Sequence, residues 1–379
     1  MITIKEVTAK KDLKRFVKFP FELYKDSKQW VPPIIKDEME NFDPAKNPAL
    51  ENAVATLYLA YKNNTIVGRI AVIINWHEIK TQNIKKLRFG WFDYIDDKSV
   101  SRALLQKAYD IGKKHELEFM EGPMGFSNMD KVGVQTEGFD HIGSMITWYN
   151  YAYYKDHLEA LGFVKEKEYI ESEFSFGNIT NPETFYKASK IISERYQLKA
   201  LNFTNTRDIE PYVDQMFDVF NKSYANLSSF VAITDKQKKY FKEKYIPLIN
   251  PELVKLVADK DGNLIAFNVV MPSFSKALQK ANGRLFPFGI IPLLKARKKF
   301  DTVLFYLIGV LPEYQSKGVT AIIFKEYYDT FKRLGVTHCI QTPELTENMP
   351  IQNLWRKFDP TIFARRRTYK FLLNEDFPE

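Results

Sequence analysis

One stretch of backbone and a few carboxylates in this sequence are suited to chemistry. The backbone stretch is Gly309–Thr320, GVLPEYQSKGVT. An apolar run ends there, a short polar loop turns, and a helical pattern begins. The first turn of a helix carries unpaired N–H groups and a partial positive charge, so it binds phosphate oxygens. Gly318 lets backbone approach such an oxygen closely, and Lys317 adds positive charge beside it. Gln315, Ser316, Lys317, Gly318, Val319 and Thr320 are the candidate anion-binding residues.

Glu344 and Glu347 follow the apolar strand Val336–Gln341. A carboxylate in a closed apolar cleft has a raised pKa and accepts a proton near neutral pH. Glu347 reads equally as a solvated residue at the start of the next helix, where acids are favoured. Asn348 either caps that helix or orients a ligand. A second group, Asp130, Glu137 and Asp140, sits among glycines in Met124–Ile142, a segment long for a plain connector. Asp130 and Glu137 are candidates for binding a polar head group. Arg365–Arg367 precedes an apolar strand, Thr368–Leu373, and alternate arginines there face opposite sides. Arg366 is the candidate to reach a phosphate of cofactor or substrate, and the run reads equally as a basic rim. His141 and His157 are possible bases, although isolated histidines more often read as structural or surface residues. No spacing of His, Cys, Asp or Glu makes a metal site. The only cysteine, Cys339, lies in an apolar run and reads as a buried strand residue. No internal disulfide can form, which fits a reducing compartment.

The elements that must hold these residues recur twice. Thr56–Asn75 reads as a hairpin, followed by the apolar run Leu87–Ile95. A helix then begins near Asp96–Asp97, with Asp97 as its cap and Val100, Leu104, Leu105, Ala108 and Ile111 at helical spacing. The strand Leu117–Gly122 follows. In the second half Leu253–Ala258 and Leu264–Met271 flank a turn at Asp259–Asn263. The strand Thr302–Val310, a glycine-bearing loop, a helix ended by Gly335 and the strand Val336–Gln341 come next. A duplicated α/β (α+β) fold accounts for the repeat. The boundary falls near Phe174–Thr180, giving domains 1–176 and 177–379.

The chain of 379 residues is long for one core. Its formal net charge of +8 favours an anionic partner: a nucleotide cofactor, a membrane surface or nucleic acid. No zinc-finger spacing, basic-region heptad or ribonucleoprotein motif is present, so nucleic acid is disfavoured. The N-terminus has no signal-peptide core and no window suits a membrane span. The expected location is cytoplasmic. The segment Lys276–Phe300 interleaves Lys and Arg with Leu285, Phe286, Phe288, Ile290, Ile291, Leu293 and Leu294, while Pro287 and Pro292 forbid one long helix. It reads either as a peripheral contact with the inner face of the membrane or as a cover over an apolar cleft.

The run Val310-Leu311-Pro312 followed by Gln315-x-x-Gly318-x-Thr320 resembles the pyrophosphate loop of the GNAT acyltransferase superfamily, with Thr320 replacing a smaller residue. The resemblance implies two tandem GNAT-like domains, each a mixed, mainly antiparallel sheet flanked by helices. It implies acyl-CoA or acetyl-CoA as co-substrate, with no metal, and transfer of an acyl group to a small-molecule or lipid amine. A backbone N–H of Val310 or Leu311 would then polarise the thioester. The family's usual tyrosine acid is replaced by Trp355, leaving Tyr369 as a remote substitute. The corresponding stretch of the first half, Phe92–Asp97, carries three carboxylates and no glycine, so that half is expected to have lost cofactor binding. Gly122-Pro123-Met124-Gly125-Phe126 with Asp130, Glu137-Gly138-Phe139 and Arg365-Arg366-Arg367-x-Tyr369 resemble the YghO-like group, itself linked to bacterial ceramide synthases. Two other readings stay open: an aminoacyl-tRNA-dependent transferase of the tandem type, and a catalytically silent ligand-binding protein.

Overall fold

The computed structural model describes residues 1–378 except 128, 226, 228–229 and 247–248. The first half runs β1 (Ile2–Glu6), α1 (Lys10–Leu23), α2 (Ile35–Glu40), β2 (Ala53–Lys62), β3 (Thr65–Asn75), α3 (Trp76–Gln82), β4 (Lys86–Tyr94), α4 (Lys98–Lys114), β5 (Phe119–Gly122), β6 (Val134–Glu137), α5 (Tyr153–Ala160) and β7 (Val164–Ser175). The second half runs α6 (Glu183–Tyr196), β8 (Lys199–Asn202), α7 (Val213–Tyr224), α8 (Asp235–Tyr245), β9 (Val254–Ala258), β10 (Leu264–Pro272), α9 (Ser275–Ala281), α10 (Ile290–Lys298), β11 (Thr302–Val310), α11 (Thr320–Leu334), β12 (His338–Leu345), α12 (Met349–Trp355) and β13 (Thr361–Leu372).

The duplicated layout is visible in the pairing. In each half four strands form an antiparallel meander, and the fourth then pairs in parallel with the fifth across a helix. That helix is α4 in the first half and α11 in the second. Asp97 starts α4 by accepting the Ser99 N–H at 2.9 Å, and Val100, Leu104, Leu105 and Ala108 form its buried stripe. Gly335 ends α11 at φ +73°, a left-handed position suited to glycine.

The last strand of each half crosses over. β7 pairs with β12, whereas β13 pairs with both β5 and β7. The order is therefore β1-β2-β3-β4-β5-β13-β7-β12-β11-β10-β9-β8, with β6 attached to β13. The exchange reaches the cores. Phe174 of β7 packs in the second-half cluster with Phe305, Phe324, Trp355 and Phe358. Tyr369 and Phe371 of β13 pack in the first-half cluster with Phe89, Leu104 and Leu158. Each half thus buries apolar surface that the other supplies, which is the main stabilising term for such an arrangement.

Strand β13 begins at Thr361, ahead of the expected Thr368, so Arg365–Arg367 lie inside it. The reason is electrostatic as well as apolar. Glu168 and Glu171 of neighbouring β7 bind Arg367 and Arg366, and Arg365 pairs with Glu137 at 3.2 Å.

Candidate active site

Strands β11 and β12 pair only from Thr302↔His338 to Phe305↔Gln341 and then part. Sequence explains the parting. Pro343 lacks the N–H a ladder needs, and the pairing of β12 with β7 shifts register between Gln341 and Glu344. The gap opens into a cleft of about 990 Å³, counting space open to solvent. One wall carries Phe305–Ile308 from β11, and another carries Thr342–Leu345 from β12 with Asn348 and Trp355. The first half closes the cleft with Arg88, Ser127, Asp130 and Tyr169.

Glu344 is the titratable group best placed here. Its carboxylate lines the cleft, and burial raises its pKa to about 8. The indole N–H of Trp355 donates to its Oε1. Trp355 therefore orients an acid, and it has no acid proton of its own to give. Asp130 lines the same cleft, with its Oδ2 accepting the Ser127 N–H at 2.9 Å. Burial raises its pKa as well. The site keeps Gly125 without a side chain: a Cβ there would lie 2.2 Å from the Asp130 Cβ.

The loop after β11 sits at the open end of the parted strands. Leu311 N–H donates to Ile265 O at 2.9 Å and is taken by the sheet. Alternation along the strand turns the Val310 N–H to the opposite side, where β12 has parted. The Val310 carbonyl accepts from Ser223 Oγ at 3.0 Å and from the Gln315 side chain at 3.1 Å. Ser316 and Gly318 hold positive φ, +42° and +75°. Among the described residues the amides of Ser316, Gly318, Val319 and Thr320 donate to no backbone carbonyl. Successive amides left free at the mouth of a fifteen-residue helix form a concavity suited to a phosphate. The Lys317 ammonium rests over the Tyr314 ring at 4.7 Å and the Tyr196 ring at 5.2 Å, which holds its charge beside this turn.

Of the other candidate residues, Asn348 reaches the cleft and the rest lie elsewhere. Glu347 is exposed and outside the cleft lining. Asn348 stands at the cap position of α12, but its side chain makes no cap bond and lines the cleft instead. Tyr369 is buried in the first-half core, its hydroxyl donating to Glu159 at 3.0 Å. Burial pushes its pKa up. Arg366 is buried away from the cleft, donating to Glu171 at 2.5 Å and to the Trp148 carbonyl at 2.5 Å. Glu137 pairs with Arg365 at the surface. Among the described residues no group of three or more His, Cys, Asp or Glu is placed to hold a metal ion.

The structure adds residues that the sequence did not single out. Asn268 of β10 lines the cleft, is 1% exposed, and accepts the Tyr327 hydroxyl on Oδ1 at 3.1 Å. Its Nδ2 has no partner among the described residues. A buried donor left open beside a cleft is suited to a ligand carbonyl. Tyr306 and Tyr224 also line the cleft; burial raises both phenols, Tyr224 to about 12. An Asn in an apolar strand gives a weak signal, but a polar residue interrupting IAFNVV is the one available.

The equivalent place in the first half is closed. β4 and β5 pair from Lys86↔Phe119 to Arg88↔Glu121 and then stop, as in the second half. There Met124 N–H donates to Phe89 O at 2.8 Å, so the loop after β5 fills the gap. A Cβ on Gly90 would lie 2.4 Å from Met124 O. Asp93 is held by Arg69 and Tyr24, each at 2.7 Å, and Asp96 by His157 at 3.2 Å.

No family model matches the chain. Over 367 residues it is 25% identical to Protein YghO of Escherichia coli K12, covering 95% of this chain and 93% of that one. It is 23% identical over 312 residues to the bacterial ceramide synthase of Caulobacter vibrioides, covering 77% and 79%. Among solved structures it resembles a tandem GNAT protein from the clavulanic acid biosynthesis pathway, at a TM-score of 0.58 with 10% identity, covering 99% and 100% of the two chains. Two strand meanders in one sheet, matched along the whole length, give the chain a tandem GNAT-like fold, and in sequence it is similar to Protein YghO over nearly its full length.

Proposed function

We propose that this protein is an N-acyltransferase that moves an acyl group from acyl-CoA to an amine. The observation that carries the reading is the half-buried Glu344 carboxylate lining the gap where β11 and β12 part, its pKa raised to about 8 by desolvation. The free amides of Ser316, Gly318, Val319 and Thr320 would hold the pyrophosphate, and the gap would take the pantetheine arm. Acyl-CoA supplies the activated thioester. Val310 N–H is turned to donate to its carbonyl oxygen. Glu344 accepts the proton that the amine loses as the C–N bond forms and the C–S bond breaks. Tyr306, protonated at any working pH, is the candidate donor to the leaving thiolate. Asp130 and Ser127 would hold the acceptor's polar end, and Asn268 Nδ2 its neighbouring carbonyl or hydroxyl.

The apolar side chains Leu227, Phe305, Leu307, Ile308 and Ile351 along the cleft fit a long acyl group and a lipid-like amine. The related chain called a bacterial ceramide synthase points the same way. We place cofactor binding in the unit 177–379 and head-group binding in the unit 1–176, and we place the protein in the cytoplasm. The test is thiol release from a long-chain acyl-CoA in the presence of long-chain amines. Turnover that depends on the amine and is lost in Glu344→Gln supports the reading. Absence of turnover with every amine, or full turnover in Glu344→Gln, overturns it.

A further inference from the structure

From Asp261 to Asp301 the sequence contains no carboxylate between the two ends, yet it holds seven cations: Lys276, Lys280, Arg284, Lys295, Arg297, Lys298 and Lys299. Among the described residues none of the seven forms an ion pair, whereas lysines before and after the segment do. The same segment presents large apolar side chains to solvent. Phe286 is 79% exposed and Phe288 74%, with Ile291 and Leu294 also exposed on the next helix. Monomeric proteins seldom expose contiguous rings of this kind without a use for them.

The segment is built to hold that tip outward. Its first helix, α9, is tied to the first half: Ser275 Oγ donates to Gly143 O at 2.8 Å, and Gln279 Nε2 donates to Lys28 O and Trp30 O. Gly283 O accepts the Ile35 N–H at 3.0 Å, and a Cβ on Gly283 would lie 2.5 Å from the Phe21 ring. Leu278, Leu285 and Leu293 turn inward to a small cluster with Val31 and Ile34. The inward leucines and the outward Phe286, Phe288, Ile291 and Leu294 divide the segment into an anchored face and a free one. The cationic last turn of α10 flanks the free face.

We infer that the face formed by Phe286, Phe288, Ile291 and Leu294, with the exposed Lys295, Lys298 and Lys299 beside it, docks on a bilayer carrying anionic lipid. Rings and aliphatic groups enter the acyl boundary while the cations meet the headgroups. Charge complementarity selects this partner, because unpaired cations without any carboxylate repel a basic surface and attract an anionic one. The segment joins β10 to β11, the strand that forms one wall of the cleft, so docking would bring the cleft near the lipid surface. This inference does not rest on the acyl-transfer reading.

The test is co-sedimentation of the full chain with vesicles, without any acyl-CoA. One set is pure phosphatidylcholine and another is phosphatidylcholine with phosphatidylglycerol. The wild type is expected to bind the anionic set at least about tenfold more tightly, falling as salt rises. Phe286→Ala with Phe288→Ala should weaken binding roughly tenfold or more, since each buried ring contributes strongly. Lys295→Gln with Lys298→Gln should weaken it by a similar factor on anionic vesicles only. All four residues are at least partly exposed and outside both cores, so the variants should melt as the wild type does. Equal binding to both vesicle types, no binding to either, or self-association through the rings in place of vesicle binding would overturn the inference.

Discussion

Glu344 combines two properties that pull against each other. It must be buried to have a pKa near 8, and burial of a carboxylate is unfavourable once the group is charged. The sign follows from linkage. The folded state keeps its proton up to about pH 8 while the unfolded chain releases it near the ordinary glutamate value. Glu344 therefore lowers stability as pH rises through that window. Glu344→Gln, which retains an oxygen for the Trp355 indole, should gain on the wild type by on the order of 1–3 kcal/mol between pH 5 and pH 8 in denaturant melts. A difference that does not grow with pH would place the carboxylate in water. As base, the same residue requires turnover to rise with pH up to about 8 and Glu344→Gln to lose roughly a hundredfold or more. Asp130→Asn should act differently, raising KM for the amine while leaving acyl-CoA affinity unchanged; an unchanged KM would remove Asp130 from the acceptor site.

At the scale of elements, the proposed function depends on where strands stop pairing. The parting of β11 from β12 and the turn at Gly318 together create the proposed cofactor path. Gly318 serves two purposes, because its φ is +75° and a Cβ would lie 2.8 Å from Ile192 Cδ1. Gly318→Ala should cost about 1–2 kcal/mol in stability, chiefly from the left-handed backbone, measured by denaturant unfolding. Gly125→Ala meets the Asp130 Cβ directly and should destabilise by about 1–3 kcal/mol while raising KM for the amine. The strand Thr302–Val310, the cap Asp97, the end of α11 at Gly335 and the buried Cys339 were legible in the sequence because local chemistry decides them. Arg366 and Tyr369 were not placed by it. Both sit on a strand whose neighbours, β5 and β7, lie far away along the chain, and no local pattern reveals which carboxylates those neighbours bring. Asn268 was missed for a similar reason: its open Nδ2 has meaning only once Tyr327 has taken its oxygen.

At the scale of the whole molecule, the exchanged last strands join what the sequence repeats. β13 completes the first half and β7 the second, so 1–176 lacks a strand its own sheet needs. The piece 1–176 expressed alone should fail to show a cooperative melt, whereas the full chain should unfold in a single transition. Arg366 lies at this seam, fully buried against Glu171. Arg366→Ala strands that carboxylate and should cost about 3–5 kcal/mol, read as a lower melting temperature with no specific loss of acyl-CoA affinity. The cleft draws its walls from both halves, which is why one sheet carrying one closed gap and one open gap can present a single composite site. The most direct measurement is calorimetric titration of the intact chain with a long-chain acyl-CoA. One site per chain is expected, weakened at least about tenfold by Gly318→Glu and unchanged by Arg366→Lys. Absence of heat with any acyl-CoA, or equal affinity in Gly318→Glu, would contradict that expectation.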